Sequence, residues 1–112
     1  MDIFNLLEKA LDVRAYYQRL IATNVANAET PGYKEKDIDF GTELDKAVRN
    51  AGPVEVKEKG MAEGVPSVDG NTVDMEDQVV KMTENTMMFN SLVQTIHKKF
   101  SMLQYAINEG RR

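Results

Sequence analysis

Apolar residues recur every three or four positions along the first 28 residues of the chain. The main line runs through Ile3, Leu6, Ala10, Val13, Tyr17 and Leu20, and it ends on two amides, Asn24 and Asn27. A flanking line widens the stripe and consists of Leu7, Leu11, Ile21, Val25 and Ala28. Alternating spacings of three and four are typical of a helix that packs against a partner helix. We therefore predict a helix over residues 3–28.

The C-terminal third carries the same pattern over a longer run. Its apolar line consists of Met75, Val79, Met82, Thr86, Phe89, Val93, Ile96, Phe100, Leu103 and Ile107, of which only Thr86 is polar. Asp74 can cap the helix N-terminus, and Glu76 and Asp77 place negative charge in its first turn, where the helix dipole favours it. The sequence predicts a helix over residues 74–109.

The middle of the chain, residues 31–71, has the composition of turns and loops. It holds all three prolines and six of the seven glycines. A short helix is predicted over residues 42–50, because Leu44, Ala47 and Val48 share a face and Gly52 with Pro53 ends it. Residues 53–60, PVEVKEKG, alternate like one short strand, but a lone strand has no sheet to join. We expect no regular structure over residues 60–71.

These patterns predict an all-α fold in which two long heptad-patterned terminal helices pair as an antiparallel, coiled-coil-like hairpin. The N-terminal helix of the core lies within residues 1–30, the loop-rich middle within 31–71 and the C-terminal helix within 72–112. A two-helix hairpin buries too little apolar surface to offset the ordering of the chain. Second apolar lines exceed what one partner helix can cover, and they include Leu7, Leu11, Met88, Leu92 and Met102. We therefore expect packing between chains.

The segment ATNVANAETPGY, residues 22–33, combines a helix end with a sharp turn. Pro31 disfavours helical backbone at Thr30, and Gly32 can take the positive φ that a type II turn needs. Asn24 and Asn27 continue the apolar line, which allows two interpretations. They are either hydrogen-bonded amides that fix the register of a buried seam, or residues of an exposed helix end.

Composition and motifs exclude several classes of function. The net charge is −4 and the basic residues are scattered, so no basic stripe is present to bind nucleic acid. No apolar stretch is long enough to span a membrane, and charged residues such as Glu8, Lys9 and Asp12 interrupt any cleavable signal. The chain has no cysteine and one histidine, His97, and it contains no nucleotide, zinc-protease or hydrolase motif. We predict no catalytic residue, no metal and no cofactor, and hence no enzymatic activity.

The stretch NVANAETPGY resembles the flagellar rod, hook and hook-associated family of axial proteins, in which a helix ends in an N-[apolar]-A-N-x-x-T-P-G-[aromatic] motif. The match is dense over residues 11–33 and resumes in the C-terminal helix. The short length, KEKDIDF after the turn, and DGNTVDMEDQ at the start of the last helix are most similar to the proximal rod subunits.

The resemblance implies a structural protein of the flagellar basal body, located in the periplasmic rod and exported through the type III apparatus without a cleaved signal. Its implied partners are further copies of itself, other rod subunits, the export apparatus and the adaptor between membrane ring and rod. The residues that it assigns to assembly are Asn24, Ala26, Asn27, Thr30, Pro31, Gly32 and Tyr33. In the C-terminal helix we assign to assembly Phe89, Val93, Ile96, Phe100, Leu103 and Ile107.

Other classes of protein share part of this pattern. A free-standing helical-hairpin adaptor or a type III secretion chaperone would show the heptads but has no need for the turn after an Asn-rich helix end. A peptidoglycan-cleaving enzyme could use acidic pairs such as Asp37 and Asp39, but it would need a cleft of fixed geometry.

Overall fold

The structure, a computed structural model, describes residues 2–59 and 70–110. Its elements are α1 (Ile3–Ala26), β1 (Lys36–Asp37), α2 (Phe40–Arg49), β2 (Lys57–Glu58) and α3 (Met75–Gly110). The predicted mainly α-helical fold with two long terminal helices is confirmed, and the three predicted helices begin and end within two residues of the observed limits. The prediction of no regular structure over 60–71 falls on residues 60–69, which lie outside the described residues.

Aspartate side chains begin all three helices. Asp2 accepts a hydrogen bond from the backbone N–H of Phe4, and Asp39 accepts one from Thr42, each at 3.1 Å. Asp74 accepts one from Glu76 at 3.0 Å, which confirms the predicted cap of α3. These caps satisfy backbone donors that a helix leaves unpaired in its first turn.

Helices α1 and α3 lie antiparallel and give the molecule an elongated shape. Asn24 near the end of α1 contacts Gln78 near the start of α3, and Phe4 packs edge-on against Phe100 with ring centroids 5.5 Å apart. The principal extents are 70 × 28 × 17 Å and the radius of gyration is 18.5 Å, against about 13 Å for a compact chain of this length. Residues 101–110 of α3 extend past the start of α1, and we call them the overhang.

The hydrophobic core lies between α1 and the middle segment. Among residues 2–59 and 70–110, the buried apolar side chains are all on α1 except Ile38, and Val13, Leu20 and Ile38 form one cluster. Partly buried side chains that pack on this cluster are Tyr16, Tyr17, Phe40, Ala47, Val54 and Val56. The middle segment thus covers the second apolar side of α1, a role that its glycine and proline content did not indicate.

The sequence predicted that the apolar line of α3 packs on α1. Over the first half of the helix this prediction is wrong. Met75 and Val79 are exposed, whereas Gln78 and Asn85 are buried with 0% and 2% exposure. The seam between the two long helices is therefore polar in this region. Periodicity alone could not identify this face, because it locates an apolar stripe without saying what covers it.

The expectation that the strand near residue 57 has no sheet to join is also wrong. β2 pairs antiparallel with β1, with Lys36 opposite Glu58 and Asp37 opposite Lys57. An ion pair of 2.9 Å between Lys36 Nζ and Glu58 Oε1 crosses the ladder. β1 is two residues long, too short for its sequence to show alternation.

Ile38→Ala tests whether the middle segment belongs to the core. Ile38 is only 7% exposed, so its truncation should lower the free energy of unfolding by about 2–5 kcal/mol. Ile107→Ala removes the same atoms from a half-exposed site and is the matched control, with a much smaller expected loss. Urea unfolding followed by circular dichroism measures both, and equal losses would contradict the assignment of Ile38 to the core.

Candidate assembly site

Asn24 is the centre of a buried polar junction at the end of α1. Its side-chain amide pairs with the backbone of Lys36, donating to the carbonyl oxygen at 2.7 Å and accepting from the N–H at 2.9 Å. The same amide donates to Gln78 Oε1 at 3.1 Å and accepts from the Tyr33 hydroxyl at 3.2 Å. Asn24 is 1% exposed, so the interpretation of a hydrogen-bonded amide in the seam is correct for this residue.

Asn27 belongs to the adjoining helix end. Its side chain donates to the carbonyl of Thr23 at 2.9 Å and accepts from the Thr30 hydroxyl at 3.1 Å. Asn71 completes this end by donating to the backbone carbonyls of Asn27, Ala28 and Thr30 at 2.8–3.0 Å. Thr23 O in the last turn of α1 and the three backbone carbonyls just after the helix thus find side-chain partners.

The turn that follows is anchored on both sides while its tip stays in solvent. Gly32 has a φ of +75°, the value that the third residue of a type II turn requires. Tyr33 N–H donates to Thr30 O at 3.2 Å, and Thr72 N–H donates to Tyr33 O at 3.1 Å. Thr30, Pro31 and Gly32 are exposed. The exposed tip of the turn is therefore held in place beside the polar junction by hydrogen bonds within the chain.

An ionic cluster around the buried carboxylate of Glu35 ties the segment after the turn to α3. Lys81 Nζ lies 3.0 Å from Glu35 Oε2, 3.0 Å from Asp77 Oδ2 and 3.6 Å from Asp37 Oδ2. Burial lowers the pKa of Lys81, but hydrogen bonds to Glu35 and Asp77 and the charge of Asp37 outweigh it, so the net pKa is raised. Burial raises the pKa of Tyr17 to about 12, and the neighbouring Asp37 adds to the rise.

A second polar crossing connects the middle of α1 with α3. Asn85 donates to the carbonyl of Arg14 and to Gln18 Oε1, each at 2.9 Å, and accepts from Arg14 Nη1 at 3.3 Å. The Arg14 guanidinium also stacks on the Phe40 ring of α2 at 3.6 Å. Desolvation lowers the pKa of Arg14. This crossing connects α2 and α3 through Arg14 of α1.

The structure brings together only part of the predicted site. Asn24, Asn27, Thr30 and Tyr33 share the junction, and Ala26 is exposed beside it. The C-terminal set begins about 17 Å farther along α3 than Gln78, at 1.5 Å per residue. There Phe89, Val93 and Ile96 are half-buried, while Phe100, Leu103 and Ile107 are about half exposed.

Sequence reasoning missed the partners of Asn24, and one signal could have found Gln78 among them. Gln78 and Asn85 lie seven residues apart, which places two polar amides on one face of α3. No regular separation in sequence links Glu35 with Lys81. Their pairing follows only from the path of the chain after the turn.

Within 2–59 and 70–110, no group of three or more His, Cys, Asp or Glu side chains is placed to hold a metal ion. Among the helices of the same ranges, none is long and apolar enough to cross a membrane. The arrangement is one of hydrogen bonds that fix helices and a turn relative to one another.

Comparison with known proteins gives a consistent set of relatives. The chain is 34% identical to the flagellar basal body rod protein FlgB of Cereibacter sphaeroides, covering 95% of this chain and 94% of that protein. It is 28% identical to FlgB of Escherichia coli, covering 92% and 91%, and 29% identical to FlgB of Proteus mirabilis, covering 97% and 96%. No protein-family model matches the chain.

Substitution of Asn24 tests the junction. Asn24→Asp keeps an oxygen that accepts from the Tyr33 hydroxyl and the Lys36 N–H. Its second carboxylate oxygen faces Lys36 O and Gln78 Oε1, to which it cannot donate. Asn24→Leu removes all of these hydrogen bonds. Each buried group left without a partner costs about 1–3 kcal/mol, so both variants should unfold at clearly lower urea concentration. The control is Asn27→Leu, because Asn27 is half-buried and loses fewer bonds. A loss from Asn27→Leu as large as that from Asn24→Leu would contradict the central role of Asn24.

Alkaline pH should destabilise the fold. The folded state keeps the Tyr17 proton to about pH 12, whereas the unfolded chain loses it near pH 10. The unfolded state therefore binds fewer protons in this window, and the free energy of unfolding falls as pH rises. The raised pKa of Lys81 acts in the same direction.

Urea midpoints measured between pH 8 and pH 11.5 check this prediction. Tyr17→Phe should make the decline shallower, and Tyr105→Phe, at a residue 69% exposed, should leave it as in the wild-type protein. A decline of the same steepness in Tyr17→Phe would show that Tyr17 does not cause it.

Proposed function

Because the chain belongs to the FlgB family of flagellar basal body rod proteins, we propose that it is a structural subunit of the proximal rod of the flagellar basal body. In this role it polymerises through its terminal helices into the tube of the rod. Its partners are further copies of itself and other rod subunits, and at the base of the rod the export apparatus and the adaptor to the membrane ring.

The observation that carries the proposal is the apolar surface of α3. The large hydrophobic side chains that are more than 40% exposed lie on α3, with the single exception of Ile3 among the described residues. They include Met75, Val79, Val80, Met87, Met88, Phe100, Met102, Leu103, Tyr105 and Ile107. Exposed large apolar side chains in such number mark interaction sites on soluble proteins, which supports burial of this helix in an assembly.

The turn after α1 is the second surface that we assign to assembly. Its anchoring residues Asn27, Tyr33 and Asn71 are occupied by hydrogen bonds inside the chain. Ala26, Thr30, Pro31 and Gly32 are exposed beside them. A tip held rigid by its own chain loses little entropy when a neighbouring subunit binds it. Asn24 acts by positioning this tip.

We further propose that the protein is not an enzyme and that it reaches the rod without a cleaved signal peptide. The location in the periplasmic rod and the export route rest on the family resemblance of NVANAETPGY. The absence of catalytic motifs in the sequence supports a structural role. No observation favours a helical-hairpin adaptor or a secretion chaperone.

Two charges placed on the exposed α3 face test the function. Leu103→Lys with Ile107→Lys should leave the helical circular dichroism of the purified protein unchanged, because both residues are about half exposed and lie in the overhang. The variant should be lost from basal bodies, since burying an unpaired ammonium in a subunit contact is costly. Immunoblots of basal bodies, together with swimming motility, measure incorporation.

Ser101→Lys with Asn108→Lys adds the same charge to the other side of the overhang and is the matched control. Both residues are exposed, and the variant should enter basal bodies at the wild-type level. Absence of the wild-type protein from basal bodies would contradict the proposed function. Normal incorporation of the Leu103→Lys, Ile107→Lys variant would contradict the assembly role of this face.

A further inference from the structure

A polar cleft of about 300 Å³ lies between the β1–β2 ribbon and α3. The residues that line it are Glu35, Asp37, Lys57, Glu58, Lys59 and Lys81. Lys59 N–H donates to Glu35 O at 2.7 Å, which extends the two-stranded ladder by one pair beyond β1 and β2. The volume is at the lower end of the range for ligand sites in proteins, so the cleft has room for a small polar group.

One oxygen of the carboxylate in this cleft has no partner. The Glu35 side chain is only 3% exposed, and its Oε2 lies 3.0 Å from Lys81 Nζ. Its Oε1 is buried and accepts no hydrogen bond within the described part of the chain. Lys81 is already shared with Asp77 and Asp37. A buried carboxylate oxygen without a donor is costly, so a bound group that donates to Oε1 would stabilise this arrangement.

Two ammonium groups beside the carboxylate also lack partners. Among residues 2–59 and 70–110, the side chains of Lys57 and Lys59 form no ion pair and no hydrogen bond. Each ammonium group carries three donor hydrogens. Both sit on flexible four-carbon stems, so they can move aside to uncover Glu35 Oε1 and then bind an acceptor. The cleft thus offers one free acceptor and several free donors.

The cleft carries no net charge, which limits the kind of group that it favours. Its lining holds three carboxylates and three ammonium groups. The partners just outside it, Asp77 of Lys81 and Lys36 of Glu58, add one charge of each sign. A cleft of zero net charge has little preference for a free cation or anion. A neutral amide matches it, because its N–H donates and its carbonyl oxygen accepts.

The position of the cleft indicates where the amide comes from. Thr72 N–H donates to Tyr33 O at 3.1 Å, and the Thr72 hydroxyl accepts from Glu35 N–H at 2.8 Å. One residue therefore anchors both the turn that we assign to assembly and the buried carboxylate of the cleft. A neighbouring subunit that contacts the tip of the turn lies next to the cleft.

We infer that the cleft between the β1–β2 ribbon and α3 binds an amide group of a neighbouring subunit. The N–H of this amide donates to Glu35 Oε1, and its carbonyl oxygen accepts from Lys57 or Lys59. The inference rests on the proposed function, since it names a polar contact between rod subunits. Such a contact adds direction to the apolar contacts of α3, because hydrogen bonds require defined geometry.

Three small probes of the same shape test which kind of group the cleft binds. Acetamide carries an amide, acetate a carboxylate, and acetamidinium a cation with donors at both ends. Each is added to isotope-labelled purified protein, with sodium chloride as the reference for ionic strength, and two-dimensional NMR follows the backbone N–H signals. Acetamide should shift the signals of Glu35 and Lys59 and saturate at a concentration severalfold below that of either ion. Equal or tighter binding of acetate or acetamidinium, or acetamide shifts that do not saturate, would overturn the inference.

Glu35→Gln removes the free acceptor from the cleft. It keeps an oxygen for Lys81 but turns an NH2 group toward the ligand, so acetamide should bind about tenfold more weakly. Glu55→Gln removes the same charge from an exposed residue outside the cleft and is the matched control, with unchanged binding expected. Lys57→Met with Lys59→Met removes the donors and repeats the measurement if circular dichroism shows that Glu35→Gln does not fold. Binding at the wild-type level in these cleft variants would contradict the inference.

Immunoblots of basal bodies separate the two proposals. Glu35→Gln should enter basal bodies severalfold less than the wild-type protein, whereas Glu55→Gln should enter at the wild-type level. Absence of the wild-type protein counts against the proposed function, and the probes then decide whether the cleft binds an amide. Presence of the wild-type protein and of Glu35→Gln at equal levels counts against the cleft contact and leaves the proposed function standing.

Discussion

The pairing of the Asn24 side chain with the backbone of Lys36 is the constraint on which the rest of the structure depends. An amide side chain carries two donor hydrogens and two acceptor lone pairs, and Asn24 uses all four on Lys36, Gln78 and Tyr33. One buried residue thereby joins the end of α1, the segment after the turn and the start of α3. The path of the chain through Pro31 is fixed by this junction, because both ends of the turn are tied to it.

Amides rather than apolar side chains set the register of α1 against α3. Gln78 and Asn85 are buried seven residues apart on α3 and meet polar partners on α1. A satisfied buried hydrogen bond adds only about 1 kcal/mol, but an unsatisfied one costs about 1–3 kcal/mol. The seam therefore contributes modestly to stability while it strongly penalises a slipped pairing. Apolar burial in the monomer includes a separate cluster, Val13, Leu20 and Ile38, between α1 and the middle segment.

The sequence predicted the helices and the turn well because those depend on local patterns. Heptad spacing located α1 and α3, and the Pro31–Gly32 pair located the turn, whose positive φ the structure shows. The face of α3 that packs on α1 could not be predicted, since Gln78 and Asn85 are buried only through partners far away in sequence. The pairing of β1 with β2 and the cluster of Lys81 with Glu35 depend on the same long-range path. Asn24 could be singled out as unusual, but its burial could not be decided without its partners.

The division between a polar seam inside and an apolar stripe outside determines how the chain can associate. Hydrophobic attraction is non-directional, so an exposed stripe on a loosely held helix would bind many neighbours in many registers. Here the stripe lies on a helix whose position is fixed by directional bonds from Asn24, Arg14 and Gln18. The buried amides give the surface a defined geometry, and the exposed stripe supplies the free energy of contact. If the seam used the apolar line of α3, fewer apolar residues would remain outside and the helix pair would lose the bonds that define its register. Directional hydrogen bonds therefore fix the fold of the chain itself, and non-directional hydrophobic contacts remain available for neighbouring subunits.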